Sequence, residues 1–284
     1  MADSVFAVRF WGTRGSMTPM VPSAEFGIHT TCVEVRPAVG NPILVDMGTG
    51  AFPAGLWLQG QGITDFEVFL THLHADHITG MFRFSPLYRS DCHVRIAAAR
   101  QDLGSALETF LDLPFHPVPL RELTADVELE QLPEQGEIEL ADRGLTVRWA
   151  SVPHPQGCTA YRFDDGTSAF VFATDVELAM RDELDGLRRL VAEPYPAGLI
   201  ALDGFFTPDE ADRHRGWGHS SWAEARDFAS ELGVDSLILT HHHPGRTDGE
   251  LAALEKTVPN LNWAREGQIL ELSGNEAGVR EEED

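Results

Sequence analysis

The chain has 284 residues, 43% hydrophobic and 23% charged, enough for one large globular core. It carries 21 basic against 45 acidic residues, a formal charge of -24, and Lys256 is its sole lysine. Such a surface repels phosphate backbones and anionic membranes, which argues against long nucleic acids or bilayers as partners.

Strand signals come first, closely spaced as in antiparallel hairpins, at 5–10, 32–36, 43–46, 67–71 and 93–97. Residues 113–136, rich in Pro and Glu, read as a long connecting segment. Further strands are expected at 145–150, 159–163, 168–173, 199–202, 236–240 and 268–272, now alternating with helices. The clearest helix is 221–232, with Ser220 or Ser221 as N-cap, Glu224 at capping-box distance and Gly233 to close it. Helices are also expected over 182–191 and 248–257. The chain reads as one α+β domain over 1–274, followed by an acidic tail at 275–284 expected to be disordered. No apolar run reaches the roughly 18 residues of a membrane span, and no secretory leader is recognisable, so a cytoplasmic protein is expected. Cys32, Cys92 and Cys158 lack metal-type spacing and read as buried small hydrophobes.

Chemistry concentrates in Thr71-His72-Leu73-His74-Ala75-Asp76-His77, directly after an apolar strand. Burying four such groups without partners would cost several kcal/mol each. His72 and His74 can point the same way from an extended backbone, and Asp76 with His77 can serve an adjoining site. Three more candidate ligands follow, each at a strand end: His154, Asp175 and His241.

This series resembles the metallo-β-lactamase superfamily, whose αβ/βα halves form a four-layer αββα sandwich around a dinuclear metal site. The resemblance implies that His72, His74 and His154 bind one divalent ion, Asp76, His77 and His241 the other, and that Asp175 bridges them. Zn²⁺ suits the donors best, with Mn²⁺ or Fe as alternatives. Residues Phe10-Trp11-Gly12-Thr13-Arg14-Gly15-Ser16, His154-Pro155 and Gly216-Trp217-Gly218-His219-Ser220 are similar to the phosphodiesterase branch that contains tRNase Z and cyclic-phosphate hydrolases. There, water activated between the metals attacks phosphorus. The likeness makes Asp76 and His219 the catalytic candidates, with His219 protonating the leaving oxygen or holding the phosphate. It assigns substrate contacts to Arg14, Ser16 and His29, the last standing where relatives carry Asn. Asp46 is expected to orient a ligand rather than bind metal. His242 and His243 are placed beside the ligands, one supporting them and the other facing solvent. His93, His116 and His214 are read as structural.

The expected activity is hydrolysis of a small phosphodiester such as a cyclic nucleotide, by a monomer or homo-oligomer. A tRNA 3′-end endonuclease comes second, without the basic arm such enzymes use. Ester or lactone hydrolysis is third. A non-catalytic binding protein is the least favoured, because a complete ligand set has no physical reason to persist unused.

Overall fold

The computed structural model describes residues 6–20, 23–258, 261–274 and 276–280. The first half runs β1 (Ala7–Gly12), β2 (Cys32–Arg36), β3 (Ile43–Val45), α1 (Ala51–Gly60), β4 (Asp65–Leu70), α2 (Ala75–Ile78), β5 (His93–Ala98), α3 (Leu103–Phe110) and β6 (Asp126–Gln131). The second half runs β7 (Gly136–Leu140), β8 (Leu145–Val152), β9 (Cys158–Asp164), β10 (Ala169–Ala173), α4 (Asp185–Ala192), β11 (Leu199–Asp203), α5 (Pro208–Arg213), α6 (Trp222–Glu231), β12 (Leu237–Thr240) and α7 (Asp248–Thr257). The chain then returns to the first sheet as β13 (Ile269–Ser273) and β14 (Glu276–Arg280). The sheet orders are β14-β13-β1-β2-β3-β4-β5-β6 and β12-β11-β10-β9-β8-β7.

Three apolar layers hold these elements together. Phe10, Val33 and Phe69 of one sheet interdigitate with Val147, Phe163 and Phe170 of the other. The outer face of the first sheet is covered by Ala54 and Leu58 of α1 and Leu107 of α3. That of the second is covered by Leu187 of α4, Phe228 of α6 and Leu251 of α7. Helices on both outer faces of two stacked sheets make the αββα sandwich. Strands β9, β10 and β11 are buried along their whole length; β10 reads as an unbroken apolar run and β11 as one up to Asp203, whereas β9 buries Arg162 paired with Asp164.

Several elements differ from the sequence expectation. Within 113–136, residues Asp126–Gln131 form an edge strand parallel to β5, its acidic side chains tolerated because one face meets solvent. Helix α1 escaped notice because Pro53 and Gly55 blur its pattern, and packing of Ala51, Ala54 and Leu58 stabilises it. Part of the tail expected to be disordered is strand β14, which pairs antiparallel with β13 after a turn at Gly274 (φ 60°). The open edge of β13 offers backbone partners that composition cannot reveal. Residue 275, residues 281–284 and Val5 of the expected first strand lie outside the described residues. The three cysteines are free and buried. Among the described residues no helix is long and apolar enough to cross a membrane.

Candidate metal centre

Strands β3, β4, β8, β10, β11 and β12 all end at one rim of the sandwich, where parallel strands commonly deliver their functional residues. Asp46 follows β3, His72 follows β4, His154 follows β8, Asp175 follows β10, Asp203 closes β11 and His241 follows β12. Asp46, Asp175 and His241 have left-handed backbone (φ 63°, 54° and 59°), a conformation rare outside glycine. Each costs about 1–3 kcal/mol, which the surrounding sheet must over-determine.

His72, His74 and His154 bring one nitrogen each within 4.8 Å of one another, and Asp76, His77 and His241 form a second such group. Asp175 lies between them. Its Oδ1 is 3.9 Å from His72 Nε2 and 3.7 Å from His154 Nε2. Its Oδ2 is 3.1 Å from His77 Nε2 and 3.2 Å from His241 Nε2.

This donor set fits divalent cations. His72 Nε2 and Asp175 Oδ2 are buried without hydrogen-bond partners among the described residues. His77 Nε2 faces His241 Nε2 at 3.3 Å, and His74 Nδ1 faces His154 Nε2 at 3.2 Å. Leaving buried polar atoms unpaired costs about 1–3 kcal/mol apiece, whereas shared cations would satisfy them together. Mixed imidazole and carboxylate donors suit zinc, manganese or iron.

The ligands are held by a second set of contacts. Asp46 Oδ2 lies 2.7 Å from His77 Nδ1 and also accepts from the Thr71 hydroxyl at 2.9 Å. The Gly218 carbonyl lies 2.8 Å from His154 Nδ1. Such partners fix which ring nitrogen is free to ligate. Burial opposes ionisation of Asp76, but His77 and His241 hold its carboxyl well below the usual carboxylate range. The Ser16 amide donates to Asp76 Oδ2 at 2.7 Å, so Ser16 reaches the site through its backbone.

His219 stands beside the cluster with Nδ1 2.8 Å from Asp203 Oδ2 and its ring stacked on Phe205 at 4.4 Å. Burial alone would lower its pKa; the Asp203 carboxylate, with Asp175 and Asp76, outweighs that and raises it to about 9.

Three assignments need correction. Arg14 is fully buried: its guanidinium donates to the carbonyls of Gly27 (2.8 Å) and Arg246 (3.0 Å) and to Ser23, with Asp248 at 3.5 Å. Every arm of the fork is engaged away from the cleft, so it holds loops together instead of contacting substrate. His242 points into the core, with Nε2 2.8 Å from the Ala264 carbonyl and its ring edge-on to Trp263, because the left-handed turn at His241 redirects the chain after β12. His243 packs on Phe205 at 4.7 Å, behind the ring that backs His219, and touches no ligand directly. His29 lies beside the site, with Nδ1 3.3 Å from the Thr49 hydroxyl.

Two residues escaped the sequence reading. Asp203 accepts from the Asp175 amide at 3.1 Å as well as meeting His219. Its signal was present: an Asp ending an apolar strand before Gly204, as Asp46 does before Gly48. Buried Glu177 accepts from the amides of Gly216 (2.9 Å) and Gly218 (3.1 Å), pinning the loop that carries His219. Nothing local in the sequence marks that contact.

A buried His/Asp cluster of this composition at the shared rim of an αββα sandwich defines a metal-dependent hydrolase. The chain belongs to the Beta-lactamase superfamily domain family, whose match spans residues 43–242. It is 28% identical over 258 residues to a Ribonuclease Z of Mycobacterium sp. (strain KMS), covering 82% of this chain and 84% of that one. In fold it is similar to the metallo-beta-lactamase fold protein YhfI from Bacillus subtilis (TM-score 0.69, 18% identity, 95% and 100% coverage). It is also similar to a diphosphatase from the PhnP family (TM-score 0.67, 19% identity, 95% and 98% coverage).

Proposed function

We propose that this protein is a phosphodiesterase that cleaves a small phosphodiester such as a cyclic nucleotide, using two divalent cations with zinc as the first candidate. The reading rests on one observation: His219, fixed by Asp203, beside seven convergent ligand side chains. His72, His74 and His154 would hold one ion, Asp76, His77 and His241 the other, with Asp175 between them. When bound, such a pair supplies Lewis acidity toward a phosphoryl oxygen and toward water.

The chain's own residues supply the rest. Asp203 engages Nδ1 of His219, which leaves Nε2 as the atom that delivers a proton to the leaving oxygen. Glu177 holds the loop, so this proton sits at a constant place. Phe205 covers the ring and keeps water from one of its faces.

Relatives named Ribonuclease Z make RNA the second reading. The charge of -24 weighs against it, since binding a long RNA draws on several free cations on one surface. Arg215, near His219 in sequence, is already paired with Asp212 and Glu224, and Arg14 is buried. The test is metal analysis followed by a hydrolysis screen of bis(p-nitrophenyl) phosphate, cyclic nucleotides, lactones and a tRNA precursor. Cleavage of the precursor with cyclic nucleotides untouched would overturn the small-substrate reading. His219→Ala should retain both metals and lose 10²–10⁴-fold in turnover. Loss of metal, or an unchanged rate, refutes the role given to that residue.

A further inference from the structure

Beside the metal centre, on the first half of the sandwich, lies a cavity of about 380 Å³ lined by His29, Thr49, Phe52, Thr79, Phe82 and Arg83. It lies one helical turn from Asp76. Thr79 follows Asp76 by three residues, across the end of α2 into a tighter helical turn, so the two lie on one side of that helix. Gly48, next to Thr49, is so close to the Asp76 backbone that a side-chain carbon there would come within 2.2 Å of its carbonyl oxygen.

The lining has a distinct chemistry. Phe52 on α1 is 43% exposed, an aromatic face left in solvent. Phe82 is locked by parallel stacking on Phe110 (4.6 Å) and His116 (4.8 Å), so this wall is rigid. Arg83 is exposed and makes no ion pair among the described residues, in a chain where most arginines are matched to carboxylates. A free cation beside an exposed aromatic ring suits a flat π-system that carries an anionic group.

We propose that this cavity takes the nucleobase of a nucleotide substrate against Phe52, with Arg83 pairing a second phosphate. The inference rests on the phosphodiester reading, and it adds that the substrate is nucleotide-like rather than an alkyl diester. The metal centre would hold the reacting phosphate and this cavity the organic part.

Calorimetric titration of the zinc-loaded protein with inorganic phosphate, adenosine 5′-monophosphate and adenosine 3′,5′-bisphosphate tests it without turnover. Phe52→Ala should weaken the monophosphate about tenfold, within the range for loss of a stacking ring, and leave inorganic phosphate within twofold. Arg83→Ala should weaken the bisphosphate and spare the monophosphate. Phe52→Leu, which keeps the apolar bulk without the aromatic face, carries the test should the alanine variant melt early. Wild-type binding of the monophosphate by both Phe52 variants, or equal loss of inorganic phosphate, overturns the proposal. The expected pattern in a protein that hydrolyses no phosphodiester would support the subsite and refute the proposed reaction.

Discussion

Arg14 in the opening loop is a substrate contact by resemblance and a clamp by structure. Its guanidinium is buried and joins three stretches of chain, at residues 23–27, at the loop 13–16 and at 246–248. Arg14→Met keeps the stem but leaves the Gly27 and Arg246 carbonyls without their guanidinium donors. Asp248 stays satisfied by the Ser23 hydroxyl (2.6 Å) and the Ala24 and Glu25 amides (2.7 and 2.9 Å). Two orphaned acceptors at about 1–3 kcal/mol each give roughly 2–6 kcal/mol of lost stability. At about 2–4 °C per kcal/mol for a chain of this size, Tm should fall by about 4–24 °C. Arg14→Lys should recover only part of it, since a point charge cannot serve a planar fork of acceptors. Scanning calorimetry measures the loss, and kcat/KM at 25 °C should stay within threefold for Arg14→Lys. An unchanged Tm with a tenfold rise in KM for a phosphodiester would refute the clamp and restore Arg14 to the substrate.

Glu177→Ala should expose the Gly216 and Gly218 amides and loosen the carbonyl that aligns His154, lowering zinc affinity about 10–100-fold. Competition with a chromophoric chelator measures this, and wild-type affinity would sink it. Removing metal from the intact protein should lower Tm, because ions present at about 1,000 times their Kd stabilise by ~4 kcal/mol per site. A melting curve indifferent to chelator and to added zinc would argue against a cation site. His242 should contribute acid sensitivity: burial depresses its pKa to about 3 from 6.5, so the unfolded chain takes up the proton first. Its contribution is complete above pH 6.5 and is lost as pH falls toward 3, roughly 3–5 kcal/mol in all. Urea denaturation of His242→Asn at pH 7 and pH 4 should show a shallower decline than wild type, and equal slopes would refute it.

Taken residue by residue, the sequence carried the chemistry further than the architecture that focuses it. His72, His74, Asp76 and His77 were legible because a strand followed by closely spaced ligands has few bland explanations, and His154, Asp175 and His241 because each ends an apolar run. The capping box at Ser221 and Glu224 was legible for the same reason: it is local. Edge strands β6 and β14 were not, since pairing with β5 and β13 is a property of distant chain and not of their own polar composition. Nor could any local pattern show that Arg14 turns inward, that His242 faces the core, or that Glu177 reaches 39 residues to the Gly216 amide. Those outcomes depend on which backbone groups the fold leaves needing a partner. Residue type and spacing marked which side chains are candidates to bind a cation. Burial and long-range hydrogen bonding decided which of its polar side chains remain free to do so.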